Sequence, residues 1–387
     1  MDIKRLKSVF EGEYGISSQP MLCFFAPGRV NLIGGHLDYN GGYVFPAALS
    51  LGIYGLLRLR SDQLICLKST NASLALTVDL KDLIVYSLQD GWGNYPKGVI
   101  KYLLERGHSL MGYDILFSGN LPDGAGLSSS AAILILTAFM LCYASGKEEI
   151  QRVELAKFCQ TVENEFIKVN CGIMDQFAIA MARRECAILL DCGTLNYKYI
   201  PFVLGEYCLV IMNTNKKREL AESKYNQRRG ECEQALKIIR GYHPVVSLCQ
   251  ASPDDVEAYI KDEVLRRRAH HVVAENNRVL LAAELLNKGD LIGFGTLMTA
   301  SHLSLKNCYE VTGLELDCLV DNALSATGCI GARMTGAGFG GCGIALVESD
   351  KVADFKISVT RGYQRTTGLI PDFYVANIAD GVKFVEC

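Results

Sequence analysis

The stretch Leu121-Pro122-Asp123-Gly124-Ala125-Gly126-Leu127-Ser128-Ser129-Ser130-Ala131-Ala132 constrains the fold more than any other part of the chain. A proline and two glycines precede three serines, and an apolar run from Ala131 to Ala144 follows. That order predicts a turn feeding the first turn of a buried helix. A helix start carries unpaired backbone N–H groups and a partial positive charge. Glycine lets a ligand approach the backbone, and serine hydroxyls add contacts. The combination suits a phosphate group. An ordinary capped core helix is the plainer alternative, for which one serine would suffice. The loop has no GK[ST] ending and is not of the Walker A type. A nucleotide bound here must be held by backbone amides, serines and a metal.

At 387 residues the chain can build two domains with substantial cores. A formal net charge of -3 argues against a general nucleic-acid binder. The apolar run from Ala131 to Ala144 is too short to span a bilayer, and the N-terminus has no apolar signal core. None of the 15 cysteines forms a CxxC pair, which excludes a disulfide framework or a zinc site from spacing and fits reduced thiols in the cytoplasm. A monomer is expected.

Patterning predicts a helix over 1–15 and a strand over 22–26 ended by Pro27-Gly28. Strands are expected near 51–60, 64–70, 74–79, 113–118, 186–191, 207–213, 332–334, 343–348 and 371–376. Helices are expected near 95–106, 148–166, 175–182, 218–239, 254–261, 265–286, 291–306 and 353–366. The mixture predicts an α+β protein of two domains, 1–195 and 196–387.

Three further segments carry chemistry. Ala26 to Gly42 gathers glycines with Arg29, His36, Asp38, Tyr39 and Asn40 after a strand, and it reads as a polar segment outside the core. Such directional hydrogen-bonding groups suit carbohydrate hydroxyls, and Arg29 suits a phosphoryl oxygen. Glu163, on a predicted helix, and Asp175, at the start of the next, are each most simply solvated or capping acids. Beside a serine-lined phosphate loop, a glutamate and a serine make a magnesium pair. Gly336-Ala337-Gly338-Phe339-Gly340-Gly341 satisfies GxGxxG but runs into a strand, not a helix. It reads as a glycine turn packed against another backbone or a phosphate loop.

In this order the motifs resemble the GHMP small-molecule kinases, and within them the galactokinases. PGRVNLIG-x-H-x-DYNGG matches that family's signature except at Gly35. GAGLSSSAA, ENEF with CGIMDQF, and TGAGFGGC match its other blocks. So do the segment from Met212 to Arg229, and Ser301 to Leu305 with Glu315-Leu316-Asp317. The resemblance implies a ribosomal-S5-like N-terminal domain and a ferredoxin-like C-terminal domain with the active site between them. It implies phosphoryl transfer from MgATP to the anomeric hydroxyl of D-galactose. Asp175 would accept the proton, and Arg29 would stabilise the transferring group and hold Asp175. Gly35, His36, Leu37, Asp38, Gly172 and Tyr225 would contact the sugar. Ser69 and the loop Gly124, Ala125, Gly126, Leu127, Ser128, Ser129 and Ser130 would contact ATP. Ser130 and Glu163 would bind Mg²⁺.

Gly35 departs from the family, which usually places glutamate there to accept a hydrogen bond from a sugar hydroxyl, O6. Relaxed discrimination at the 6-position is the expectation. An N-acetylgalactosamine kinase and a non-catalytic galactose and ATP sensor are the rival readings. The intact serine loop, Arg29 and Asp175 favour the enzyme over the sensor.

Overall fold

The computed structural model describes residues 2–122, 126–146, 149–216 and 221–386. The architecture is α+β. A six-stranded sheet runs in the order Lys383–Val385, Met21–Asn31, Pro46–Leu59, Tyr113–Gly119, Leu64–Ser69, Leu76–Asp79. Its neighbours are antiparallel except Leu64–Ser69 beside Tyr113–Gly119. The chain's last strand therefore borders its first.

The first strand does not stop at Pro27-Gly28 but continues to Asn31. The register on Pro46–Leu59 shifts between Pro27 and Arg29. That irregularity absorbs a residue with no N–H to donate, and the pairing resumes beyond it. The segment expected to lie outside the core thus begins inside it: Val30, Leu32, Ile33 and Leu37 are all fully buried.

The helix Ser129–Ala144 is apolar on every side because every side is covered, and its residues Ala131 to Cys142 are buried. The helix Arg152–Val162 passes directly into a π turn, Glu163–Ile167, so the expected helix from 148 changes pitch at Glu163. Residue 148 itself lies outside the described residues, as does 218, the expected start of the helix seen as Ala221–Arg240.

A second, four-stranded antiparallel sheet has the order Cys329–Met334, Cys342–Glu348, Tyr207–Asn213, Asp372–Ala376. Its strands alternate in the manner of a sheet covered on both faces. Val210, Met212, Ala345 and Val347 pack with Leu319, Phe355 and Val359 of the helices Leu314–Ser325 and Val352–Thr367. Leu209, Ile211, Ile344 and Leu346 face the larger core, with Phe294 and Met298 of the helix Leu291–Ser304. A small sheet of Tyr43–Val44, Cys186–Asp191 and Tyr197–Pro201 completes the fold. No described helix is long and apolar enough to cross a membrane, and no disulfide joins any two of the described cysteines.

Candidate active site

The extension of the first strand sets Arg29 in place. Its backbone N–H donates to the Leu127 carbonyl at 3.1 Å, tying the strand to the glycine-serine loop. Its guanidinium is nearly buried and grips Asp175 side-on: Nε donates to Oδ1 and Nη2 to Oδ2, both at 2.6 Å. The remaining Nη1 donates to the Gly126 carbonyl at 2.9 Å. Asp175 stands in the first turn of the helix Met174–Met181, where a carboxylate is favoured by the helix dipole.

Ser128 caps the buried helix in a left-handed conformation, φ 62°, rare for a residue with a Cβ. Its hydroxyl donates to Asp175 Oδ2. Three segments far apart in sequence thus converge on one carboxylate, which Arg29 and Ser128 fix in orientation.

A cavity of about 480 Å³ opens over this centre. Gly126, Leu127, Ser128, Ser129 and Ser130 line it on one side. His36, Asp38, Gly172 and Tyr225 line it as well, together with Arg29, Asp175, Gly35 and Glu163. Leu37 and Ser69 are not among its lining residues. The Leu37 side chain is sunk in the core, and the Ser69 hydroxyl accepts the Asn71 N–H at 3.1 Å. Gly124 and Ala125 lie outside the described residues.

Gly172 is required by proximity, since a Cβ there would overlap the Asp38 carboxylate. Burial, and then the like charge of Asp175, pushes Asp38 up to about 6. His36 is held neutral, pushed down to about 3 by burial. Its Nδ1 lies 2.9 Å from the Tyr39 hydroxyl, which lies 2.8 Å from that of Tyr309. Tyr225, on the helix Ala221–Arg240, sets its ring 5.7 Å from that of His36.

Glu163 opens the π turn and is buried, accepting from Gln176 Nε2 at 2.5 Å. Burial raises it to about 7 against the opposing effect of the adjacent Ser130 hydroxyl. Among the described residues no cationic side chain pairs with it. A buried carboxylate beside a serine hydroxyl fits magnesium, which takes one or two protein oxygens and completes its shell with phosphate and water. No cluster of three or more His, Cys, Asp or Glu able to hold a metal occurs among the described residues.

The second glycine segment joins the strands Cys329–Met334 and Cys342–Glu348. Gly336, at φ 79°, would bring a Cβ within 3.3 Å of the Gly126 carbonyl, so this turn backs directly onto the serine loop. Thr335 ties it to the Arg29 strand, its hydroxyl accepting the Asn31 N–H at 3.1 Å. Of the cavity residues that the motifs do not single out, one is an arginine. Arg333, a single arginine in an otherwise apolar strand, is 1% exposed and lines the cavity. The only signal was its charge within that pattern.

Models of three families match the chain: the galactokinase galactose-binding signature over residues 8–59, the GHMP kinases N terminal domain over 94–183, and the GHMP kinases C terminal domain over 282–359. The galactokinase of Clostridium tetani is 52% identical over 384 residues, covering 98% of this chain and 97% of that protein. That of Staphylococcus carnosus is 49% identical over 386 residues, covering 98% and 99%. The crystal structure of Lactococcus lactis galactokinase complexed with galactose superposes with a TM-score of 0.92 at 43% identity, covering 98% of this chain and 99% of that one. A mevalonate kinase at 22% identity, TM-score 0.68, shares the fold. The two matched GHMP domains define the class as that of the ATP-dependent small-molecule kinases. The chain belongs to the galactokinase family.

Proposed function

We propose that this chain transfers the γ-phosphoryl group of MgATP to the anomeric hydroxyl of D-galactose, giving α-D-galactose 1-phosphate. The observation that carries the reading is the Arg29–Asp175 pair, locked side-on at 2.6 Å beside both the serine loop and the polar wall of Asp38 and His36.

In this reading Asp38, His36, the Gly172 backbone and Tyr225 hold the sugar hydroxyls. Asp175 accepts the proton of the anomeric hydroxyl as its bond to phosphorus forms. Arg29 orients Asp175 and offsets charge on the transferring group, and Ser128 restrains the carboxylate. Phosphoryl transfer through a loose transition state draws mostly on such positioning and charge stabilisation. Gly126 to Ser130 cradle the triphosphate at the helix start. Ser130 and Glu163 would hold Mg²⁺, which when bound neutralises phosphate charge. Cysteines without disulfide spacing support work in the cytoplasm, and the chain acts as a monomer.

Glycine at 35 provides no side-chain acceptor, so discrimination at the sugar 6-position is relaxed. An ADP-release assay with D-galactose, N-acetylgalactosamine and D-fucose tests the whole reading. Galactose turnover with D-fucose close behind is expected. Turnover of N-acetylgalactosamine alone, or sugar binding with no ADP release, would overturn it. Strong rejection of D-fucose beside good galactose turnover would sink only the relaxed specificity.

A further inference from the structure

Arg333 heads the largest side chains that are fully buried, and its charge is poorly compensated. Nη1 donates to the Asn31 carbonyl at 3.1 Å. Among the described residues the buried Nε has no hydrogen-bond partner, and no carboxylate pairs with the guanidinium. Glu275 is a nearby acid but is committed elsewhere. It accepts the Gly34 and Gly35 N–H groups at 2.9 and 3.2 Å, the Ser301 hydroxyl at 2.5 Å, and Arg278. Burial lowers Arg333 to about 10, so it stays charged at neutral pH. An unpaired buried cation is costly, and an unsatisfied edge of one is a strong demand for an anion.

The vacant edge has a direction. A Cβ on Gly35 would stand 2.8 Å from Arg333 Nη2. Gly35 and Arg333 line the same cavity as Asp175 and Asp38. Any side chain at 35 would stand against this guanidinium, and an acid there would neutralise it. Glycine leaves the edge to the ligand. A charged N–H donor binds an ionised oxygen more strongly than a neutral one, so Nη2 favours a carboxylate.

We propose that Arg333 Nη2, left without a facing side chain by Gly35, is a subsite for a carboxylate carried by the sugar, so that the chain also phosphorylates a hexuronate of galactose configuration. The inference rests on the sugar orientation of the proposed function, with the anomeric hydroxyl at Asp175 and C6 toward Gly35. The group transferred is unchanged. The O1–P bond forms, the bond from Pγ to the β,γ-bridging oxygen breaks, ADP leaves with that electron pair, and the O1 proton passes to Asp175. The uronate carboxylate takes no part beyond binding.

The test compares D-galactose and D-galacturonate on the full chain, by ADP release and by titration calorimetry, for the wild type, Gly35→Glu and Arg333→Gln. A Cβ at 35 comes closest to side-chain ends and not to backbone, Arg333 Nη2 at 2.8 Å and Leu305 Cδ2 at 3.2 Å, so a small shift of those ends makes room for it, and urea unfolding checks the fold of the variant. The wild type should turn over D-galacturonate. The galacturonate-to-galactose ratio of kcat/KM should fall about tenfold or more in Gly35→Glu, and likewise in Arg333→Gln. If Arg333→Gln does not fold, Gly35→Glu decides alone. Galactose turnover with no galacturonate binding, or an unchanged ratio in Gly35→Glu, would overturn the subsite and leave the kinase reading standing. Galacturonate binding abolished by Gly35→Glu, with no ADP released from either sugar, would support the subsite and sink the kinase reading.

Discussion

Asp175→Asn separates charge from shape at the centre of the site. An asparagine fits the same volume but offers one oxygen where the aspartate offers two. One of the two 2.6 Å bonds from Arg29 would survive, and the amide N–H₂ would face the other donor. A hydrogen bond to a charged group is worth about 1.5–3 kcal/mol. Asp175 is 28% exposed at its side chain, so water replaces part of the lost contact. A stability cost of about 1–2 kcal/mol is expected. The catalytic cost is larger. Proton acceptance by a positioned side chain contributes roughly 10²–10⁴ in rate. The expected fall in kcat is therefore about 10³, equivalent to about 4 kcal/mol of barrier. KM for galactose should move within about threefold, because Asp38 and His36 are untouched. Urea unfolding monitors the fold, and ADP release with saturating galactose and MgATP monitors turnover. A folded variant with kcat within tenfold of wild type would refute both the proton-acceptor and the orienting role of Asp175.

Ser128→Ala removes the hydroxyl donated to Asp175 while keeping the backbone turn; kcat should fall about tenfold with little change in KM for galactose, read from steady-state kinetics. Gly172→Ala drives a Cβ into the Asp38 carboxylate, and KM for galactose should rise at least about tenfold while MgATP binding, read by calorimetry without sugar, stays close to wild type. Asp38, held near 6 in the folded protein against 3.8 ordinarily, retains a proton that the unfolded chain has already lost between those values. The unliganded protein therefore loses stability as pH rises from about 4 to about 6, and the loss persists above that window. Asp38→Asn should unfold at higher urea than wild type above pH 6, converge with it near pH 4, and bind galactose worse; coincident profiles at every pH would reject the assignment.

Much of this architecture was legible because periodicity and glycine punctuation were strong. The apolar run from Ala131 to Ala144 is a buried helix, and the GxGxxG match is a turn between strands with its Gly336 against Gly126. What escaped notice depends on partners distant in sequence. Tyr43–Val44 and Lys383–Val385 are strands only because Cys186–Asp191 and Met21–Asn31 lie beside them. The helix Leu314–Ser325 is not among the helices that patterning predicts, although its apolar face packs on the second sheet. Pro27-Gly28 reads as a stop because proline lacks a donor, whereas the shift in register accommodates it. The four motifs do meet in one cavity, but the left-handed turn that aims Ser128 at Asp175 has no trace in residue type. Arg333 was hidden for the same reason: its significance comes from Gly35, a residue defined by what it lacks.

The carboxylate at 175 takes its bearings from residues 29 and 128, one on a sheet and the other at the head of a helix. No local segment can assemble that triangle, and closing it means bringing together chain positions separated by 146 residues. Recovery of turnover after dilution from denaturant should thus trail the return of the far-ultraviolet helical signal, because long-range closure is slow relative to local winding. Catalysis here is a clock for completed folding, and a cleaved half of the molecule has no partial activity to retain.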